Sequence, residues 1–247
     1  MKITVSNIPK LPLLLLLLLL ISLLSLTFLF SPQPTPTPTP PTRTTTTNPD
    51  LKIRPGYTSY ETYLSKQLNK TLNPKLRQVW TTRDWDRKIR VFTLFFHNLI
   101  QSKFLTNSSK SLCVGARVGQ EVEALRQLGI VDSVGIDLVP HPPLVIQGDF
   151  HYQPFENETF DFEFSNVFDH ALYPEKFVSE IERTLKKGGV CVLHVSITKR
   201  ADKYSANDLF SVNGLVDLFT VSKVVRVRNI DGFGLDTEVV LRKNVDS

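Results

Sequence analysis

The sequence predicts an α/β fold built on a mostly parallel sheet, because three short apolar runs each end in a loop or an acidic residue. The first run, residues 112–114, leads into a glycine-containing loop at 115–119, and a helical pattern follows over 120–128. The second run ends at Asp137 and the third at Gly148 and Asp149. Strand, tight loop and helix in this order indicate that the strand ends lie together at one edge of a sheet.

The loop at 115–119 suits the close approach of a ligand. Gly115 and Gly119 have no Cβ, and the helix that begins there has unpaired N–H groups. The loop alone is a weak signal, since a strand-to-helix turn also needs glycine without any ligand. Asp137 follows about 20 residues later, where a carboxylate can accept hydrogen bonds from two ribose hydroxyls. Together these features predict a site for a nucleoside cofactor.

The pattern continues with a fourth strand, a helix and a fifth strand. Residues 155–165 indicate a turn that enters strand four, and residues 177–185 form an amphipathic helical pattern. Two lysines and two glycines at 186–189 are typical of a helix end, so we expect them to close this helix. The apolar run 190–195 then predicts strand five.

Two helical segments precede this core, over residues 57–72 and 84–104. The second segment places six apolar residues at helical intervals: Ile89, Phe92, Phe95, Phe96, Leu99 and Ile100. With Trp80 and Trp85, this aromatic face either covers the cofactor cleft, or binds an apolar substrate, or packs as core. We favour packing, since such a stripe normally faces the protein interior.

The order of these elements, with the sequence RTLKKGG before strand five, resembles the class I S-adenosylmethionine-dependent methyltransferases, in particular the methyltransferase type 11 group as found in plant proteins. The resemblance covers residues 111–195. It implies a Rossmann-like sheet of seven strands, mostly parallel with the last strand antiparallel. The strand patterns at 221–227 and 237–241, joined by a loop at 231–236, would form the last antiparallel pair.

The same resemblance implies S-adenosyl-L-methionine as the cofactor and assigns its contacts. The loop from Gly115 to Gly119 would face the methionine end, Asp137 the ribose, and Asp149 with Phe150 the adenine.

The sequence departs from the family pattern at two positions of the loop region. Cys113 stands where the family usually has an acid, and Arg117 where it usually has a glycine. Arg117 either pairs with the carboxylate of the cofactor through its planar guanidinium or bridges to Glu121 on the next helical turn. These changes bear on cofactor affinity more than on the fold.

Methyl transfer from a sulfonium needs a base only when the acceptor must lose a proton. His170 is the candidate base, since Asp169 and His170 follow strand four at the carboxyl edge of the sheet. Alternatively, these two residues shape the entry into the helix that begins near Pro174. The absence of an Asn-Pro-Pro-Tyr motif favours oxygen over nitrogen, and we expect a small-molecule or cell-wall-type acceptor.

Two other functions compete with this one. An NAD(P)-dependent oxidoreductase would share the strand, loop and helix, but it should carry Gly-x-Gly-x-x-Gly where this loop has Gly-x-x-x-Gly. A non-catalytic binding protein on a methyltransferase fold is the stronger alternative, because Cys113 and Arg117 both depart from the family pattern.

The N-terminal residues predict a membrane anchor. Residues 11–30 carry no charge and include eight consecutive leucines, and about 20 such residues span a bilayer as a helix. A secretory signal peptide is the alternative, but its apolar region is normally about 7 to 15 residues long and ends in small residues. Lys2 and Lys10 precede the segment and Arg43 is the first cation after it, so the positive-inside rule places the N-terminus in the cytosol. We therefore expect a type II protein of the Golgi or ER with a lumenal catalytic domain.

The predicted organisation has five parts. They are a cytosolic tail at 1–10, a transmembrane signal anchor at 11–30, a Pro/Thr-rich stem at 31–50, a helical N-terminal extension at 51–106 and a methyltransferase core at 107–247. The stem contains seven prolines and eight threonines, which cannot build a core and indicate an extended spacer.

Charge and cysteine content exclude other classes. Three cations and one acid precede residue 51, which leaves the rest of the chain +3 of the total +5; with no basic run, we expect no nucleic-acid partner. By the sheet order of the resembled family, strand four separates Cys113 from Cys191. Neighbouring strands are about 4.8 Å apart, so we expect buried free thiols instead of a disulfide. Neither cysteine has metal-ligand spacing to His or Cys, and we expect no structural metal.

Overall fold

The computed structural model of the protein describes residues 48–198 and 202–246. The predicted cytosolic tail, the predicted membrane anchor and nearly all of the predicted stem lie outside these residues. Within the described ranges, no helix is both long enough and apolar enough to cross a membrane.

Three helices precede the sheet. After strand β1 (Leu51–Ile53), helix α1 runs over Tyr60–Thr71, α2 over Pro74–Thr81 and α3 over Trp85–Gln101. The side chains of Ser59 and Asn73 cap α1 and α2 by accepting backbone N–H groups. Helices α1 and α3 confirm the two predicted segments. Helix α2 was not predicted; it is only eight residues long and buries only Trp80.

Seven of the remaining strands form one sheet. The strands that follow α3 are β2 (Ser111–Val114), β3 (Ser133–Asp137), β4 (Val145–Gln147), β5 (Phe160–Ser165), β6 (Leu185–Val195), β7 (Asn207–Leu209), β8 (Ser222–Gly232) and β9 (Leu235–Lys243). The main sheet has the order β4-β3-β2-β5-β6-β9-β8. Strands β2 to β6 run parallel, and β9 runs antiparallel to both β6 and β8. This confirms the predicted sheet with its antiparallel last strand.

Short helices connect the strands and cover the sheet. They are α4 (Gln120–Gln127), α5 (Pro174–Thr184) and α6 (Val212–Val216), with a 3₁₀ turn at Phe168–His170. Phe92 and Phe96 of α3 contact Phe164 of β5, with ring centroids 5.9 and 5.1 Å apart. Phe177 of α5 is buried on the opposite face. The aromatic stripe of α3 is therefore core, which confirms the packing interpretation.

Residues 186–189 differ from the prediction. Helix α5 ends at Thr184, so the two lysines and two glycines lie inside β6 and do not close the helix. Gly188 has a φ of +74°, and the pairing of β5 with β6 shifts register between Phe160 and Phe162. The physical reason is a bulge, since glycine lets a strand pass through left-handed backbone without ending.

Both cysteines are buried in the sheet. Cys113 lies in β2 and Cys191 in β6, and β5 separates these strands as expected. Burial raises the pKa of both thiols well above the usual range, which keeps them protonated.

A second, two-stranded sheet fixes the start of the helical extension. Strand β1 pairs antiparallel with β7. Next to it, Arg54 donates to both carboxylate oxygens of Asp208, at 2.7 and 3.0 Å. These contacts hold the chain just before α1.

Candidate functional site

The loop after β2 is locked against the end of β3. The N–H groups of Gly115 and Ala116 donate to the carbonyl of Ile136, at 2.9 and 3.0 Å. The N–H of Arg117 donates to Asp137 Oδ2 at 2.9 Å. Gly115 and Arg117 have left-handed backbone, with φ of +75° and +51°, which glycine adopts freely and arginine at a cost of roughly 1 kcal/mol. The loop is thus held in one conformation beside the carboxylate of Asp137.

A cavity of about 320 Å³ opens at the carboxyl edge of the sheet, beside this loop. Five of the seven predicted site residues line it: Gly115, Arg117, Asp137, Phe150 and His170. They converge because β2, β3 and β5 are parallel and end at the same edge. The sequence therefore placed most of its candidates at one site, although their roles remain predictions.

Asp137 is the carboxylate that lines this cavity next to the loop. Its Oδ1 accepts a hydrogen bond from the N–H of Val139 at 3.4 Å, in addition to the bond from Arg117 at Oδ2. Burial raises the pKa of Asp137, and the backbone N–H groups of Arg117 and Val139 oppose this rise. The remaining lone pairs of the Asp137 carboxylate can accept hydrogen bonds from the hydroxyl groups of a ribose.

Gly119 lies outside the cavity lining. It is the N-cap residue of α4 with a φ of +88°, and a Cβ at this position would come within 2.7 Å of the Leu144 side chain. Close packing of the helix against the chain before β4 therefore explains this glycine without a ligand.

Asp149 also lies outside the cavity lining. Its carboxylate accepts hydrogen bonds from the hydroxyl of Tyr60 and from the N–H of His151. Burial raises the pKa of Asp149, but its bonds with His151 and Tyr60 outweigh this and lower it. Asp149 therefore fixes α1 to the chain after β4, and the neighbouring Phe150 is the residue that faces the cavity.

Arg117 does not form the ion pair with Glu121 that was one of its two expected interactions. Its guanidinium lies over the ring of Trp80, with Cζ 5.2 Å from the ring centroid. Glu121 Oε1 instead accepts from Asn166 Nδ2 at 3.1 Å. Within the described residues Arg117 and Glu121 form no ion pair, so pairing with a ligand carboxylate is the prediction that stays.

His170 lies at the cavity with its basic nitrogen engaged. Nδ1 is within 3.2 Å of the Tyr204 carbonyl, to which it must donate, so Nε2 carries the lone pair. Lys70 Nζ donates to Nε2 at 3.2 Å and to Asp202 Oδ2 at 2.9 Å. Burial lowers the pKa of His170; Asp169 opposes this and the charge of Lys70 adds to it. The imidazole is thus neutral at pH 7, but Lys70 must turn away before it can accept a proton.

Several cavity residues were missed by the sequence analysis. They include Tyr63 and Lys70 of α1, Lys88 of α3, Asn166 after β5 and Phe233 between β8 and β9. Lys88 had a usable signal: it lies four residues before Phe92, on the apolar stripe of α3, where a charge is unexpected. The others follow only from tertiary structure, because their elements meet at the cavity from distant parts of the chain.

The residues present fit the S-adenosylmethionine that the resemblance implies. Asp137 offers acceptors for a ribose, Phe150 an aromatic surface for a base, and Arg117 a cation for a carboxylate. No cluster of three or more His, Cys, Asp or Glu able to hold a metal ion occurs among residues 48–198 and 202–246.

Comparison with known proteins gives one family and a set of shared folds. Residues 112–193 match a family described as a methyltransferase domain. The 1,6-didemethyltoxoflavin-N1-methyltransferase of Burkholderia thailandensis, solved with 1,6-didemethyltoxoflavin and S-adenosylhomocysteine, is 14% identical, with a TM-score of 0.60 over 78% of this chain and 93% of that one. The PH0226 protein of Pyrococcus horikoshii OT3 is 16% identical, with a TM-score of 0.51 over 76% and 100%. Both show a common fold. No curated protein sequence matches the chain.

Proposed function

We propose a site and a mechanism for this chain, which is an S-adenosylmethionine-dependent methyltransferase with S-adenosylmethionine as its cofactor. The cofactor binds between the loop 115–119 and Asp137, and the acceptor enters on the side of the cavity formed by α1. One observation carries this proposal: the bond from the Arg117 N–H to Asp137 fixes loop and carboxylate together at the wall of a 320 Å³ cavity.

The chemistry asks little of the protein beyond position. When bound, the cofactor supplies a methyl group already activated by a sulfonium, so in-line alignment accounts for much of the rate. Asp137 holds the ribose hydroxyls. His170 Nε2 takes the proton of the acceptor after Lys70 turns away, and Lys70 keeps its ion pair with Asp202 when it does so.

The acceptor we propose is a hydroxyl group of a small molecule or of a cell-wall-type compound. A neutral imidazole at the cavity supports an acceptor that must lose a proton, which an alcohol or phenol does and an uncharged amine need not do before attack.

Membrane attachment is a separate part of the proposal and depends on residues 11–30. We place the chain as a plant-like, type II member with its catalytic domain in the lumen of the Golgi or ER. The full chain should then resist carbonate washing of membranes, and deletion of residues 1–30 should release it. A soluble protein trimmed near residue 31 would support the signal-peptide alternative instead.

A non-catalytic binding protein is the second candidate. The contact between Lys70 and His170 Nε2 favours it, because it occupies the only basic nitrogen of this histidine. The two candidates differ in turnover and share cofactor binding.

The experiment combines binding with turnover. Full-length chain in detergent is titrated by calorimetry with S-adenosylhomocysteine and with NAD, and labelled methyl transfer is then screened on membrane and wall extracts. We expect the protein to bind S-adenosylhomocysteine and not NAD. His170→Gln should lower turnover by about 100-fold and leave the affinity for the cofactor unchanged. NAD binding alone would overturn the proposal. Joint loss of stability and cofactor affinity in His170→Gln would make the histidine structural, and cofactor binding without any product would favour the binding protein.

A further inference from the structure

We infer that Lys88 is the ligand for the carboxylate of the amino-acid end of the cofactor, with Arg117 as its second cation. The inference rests on the proposed function and adds a residue from helix α3, outside the residues matched by the methyltransferase family.

Lys88 is a buried ammonium without an acceptor. It lines the cavity and is 6% exposed, yet its Nζ forms no hydrogen bond or ion pair with any residue in the described part of the chain. Nζ lies over the ring of Phe233, 5.1 Å from the centroid, and the carboxylates of Glu121 and Asp84 act on it through space without forming an ion pair. Burying a charge in this way is unfavourable unless an opposite charge joins it. An anionic group that enters the cavity supplies the missing partner.

A second cation lies at the same end of the cavity. Arg117 also lines it, and its positive charge acts on Lys88 together with burial to lower the pKa of Lys88 to about 8. Two like charges held this close repel each other in the free protein. A carboxylate placed between them removes that repulsion, and the planar guanidinium and the ammonium can both donate to it.

The neighbouring Glu121 decides which kind of anion fits. It is 2% exposed behind Asn166, which lines the cavity, and its Oε2 has no hydrogen-bond partner. Burial raises the pKa of Glu121, while the charges of Arg117 and Lys88 oppose this rise. The free Oε2 of Glu121 is an acceptor close to the two cations, so the site favours a ligand that carries a hydrogen-bond donor, such as an ammonium, beside its carboxylate. An α-amino acid is such a ligand.

The test separates the amino-acid end of the ligand from its nucleoside end. Full-length protein is titrated with S-adenosylhomocysteine and with 5′-methylthioadenosine, which has the same nucleoside and thioether but no amino-acid group. In Lys88→Met, affinity for S-adenosylhomocysteine should fall about ten- to hundredfold, as for loss of a charged hydrogen bond, and affinity for methylthioadenosine should stay within about twofold. Lys88→Arg should keep most of the affinity, and Lys88→Gln provides a second neutral variant if Lys88→Met does not fold.

Lys110→Met is the matched control. Lys110 Nζ also lies over a phenylalanine ring, that of Phe160 at 5.8 Å, but at the start of β2, away from the cavity, so its removal should change neither affinity. Two results would overturn the inference alone, provided that the wild-type protein binds S-adenosylhomocysteine. Either Lys88→Met and Lys88→Gln leave this affinity unchanged, or they lower the affinity for both ligands equally. Failure of the wild-type protein to bind either nucleoside would instead overturn the proposed function, and the inference with it.

Discussion

Lys88 and Lys243 are equally buried lysines, 6% and 7% exposed, in two different regions of the molecule. Lys243, at the end of β9, donates to the Leu185 carbonyl at 2.8 Å and lies 3.8 Å from Glu158 Oε1. Lys88, at the cavity, has no hydrogen bond or ion pair within the described residues, and its Nζ lies over the ring of Phe233. The two side chains are equally buried but differ in their hydrogen-bond partners. We therefore infer that the charge of Lys243 stabilises the fold, whereas the charge of Lys88 is available to a ligand.

The buried carboxylates Glu238 and Glu121 repeat this contrast. Glu238 of β9 accepts hydrogen bonds from His194, Arg226 and Arg228. Burial raises the pKa of Glu238, but the bonds with His194 and Arg228 outweigh it and bring the value to about 2. Glu121, near the cavity, keeps one oxygen unpaired and a raised pKa. Both carboxylate oxygens of Glu238 therefore have hydrogen-bond donors, whereas Glu121 near the cavity keeps one oxygen without a donor.

The largest expected effect on stability comes from a substitution in the hydrogen-bond network of Glu238. Glu238→Gln removes the charge that two arginines share, and we expect it to lower the free energy of unfolding by about 2–4 kcal/mol, since loss of one buried partner leaves the others uncompensated. Glu121→Gln should change it by less than about 1 kcal/mol, because a glutamine can still accept the hydrogen bond that Asn166 donates to Glu121. Urea denaturation of both variants measures the difference, and equal losses would remove the contrast.

The next effect concerns binding by the cavity region. Asp137→Ala removes a charged acceptor and should weaken S-adenosylhomocysteine binding by about 1.5–3 kcal/mol. Calorimetry measures this loss, and Asp161→Ala serves as control because Asp161 lies at the opposite end of β5. If Asp137→Ala binds S-adenosylhomocysteine as tightly as the wild-type protein, the Asp137 carboxylate does not bind the ribose.

The two lysines should respond to the same substitution with opposite signs. The pKa of Lys88 is about 8 in the folded protein against 10.5 for an ordinary lysine, so its charge destabilises the fold below pH 8, and the penalty fades between pH 8 and 10.5. At pH 7, Lys88→Met should therefore raise the free energy of unfolding of the ligand-free protein by about 1–2 kcal/mol. Lys243→Met should lower it by about 1–2 kcal/mol, since the Leu185 carbonyl loses its donor. Thermal unfolding checks both signs, and a loss in both variants would show that Lys88 is structural.

The smallest effect is a pH dependence. Lys88 faces Arg117 from the loop and Glu121 from α4, with Asp84 and Arg87 on its own helix. If its charged form binds the carboxylate, affinity for S-adenosylhomocysteine is full below pH 8 and falls as the pH rises through the pKa, by up to about tenfold at pH 9. The Lys88→Met variant should lack this decline between pH 7 and 9. A decline of the same size in both proteins would assign the titration to another group.

Local sequence signals were enough for most of the main sheet and for the loop. Strands β2 and β3 and residues 190–195 of β6 are apolar runs bounded by glycine or acid, and parallel strands then bring Gly115, Asp137 and His170 to one edge. Periodicity likewise gave the buried face of α3.

The missing parts of the site depend on contacts between distant segments. The Tyr60 hydroxyl donates a hydrogen bond to Asp149, which is 89 residues away in the sequence, and Lys70 Nζ contacts His170 Nε2, which is 100 residues away. No local pattern specifies such pairs. The charge of Lys88 was visible on its stripe, but its lack of a partner becomes meaningful only when Arg117 and the cavity are placed beside it.

The most direct measurement of the central claim is a crystal structure of the protein with S-adenosylhomocysteine bound. The account predicts the ribose on Asp137 and the amino-acid carboxylate within hydrogen-bond distance, about 2.7–3.2 Å, of Lys88 Nζ. In the same structure, Lys243 should keep its contact with Leu185. A bound ligand whose carboxylate lies away from Lys88, with Lys88 Nζ still without a partner, would contradict the claim that Lys88 binds the carboxylate of the cofactor.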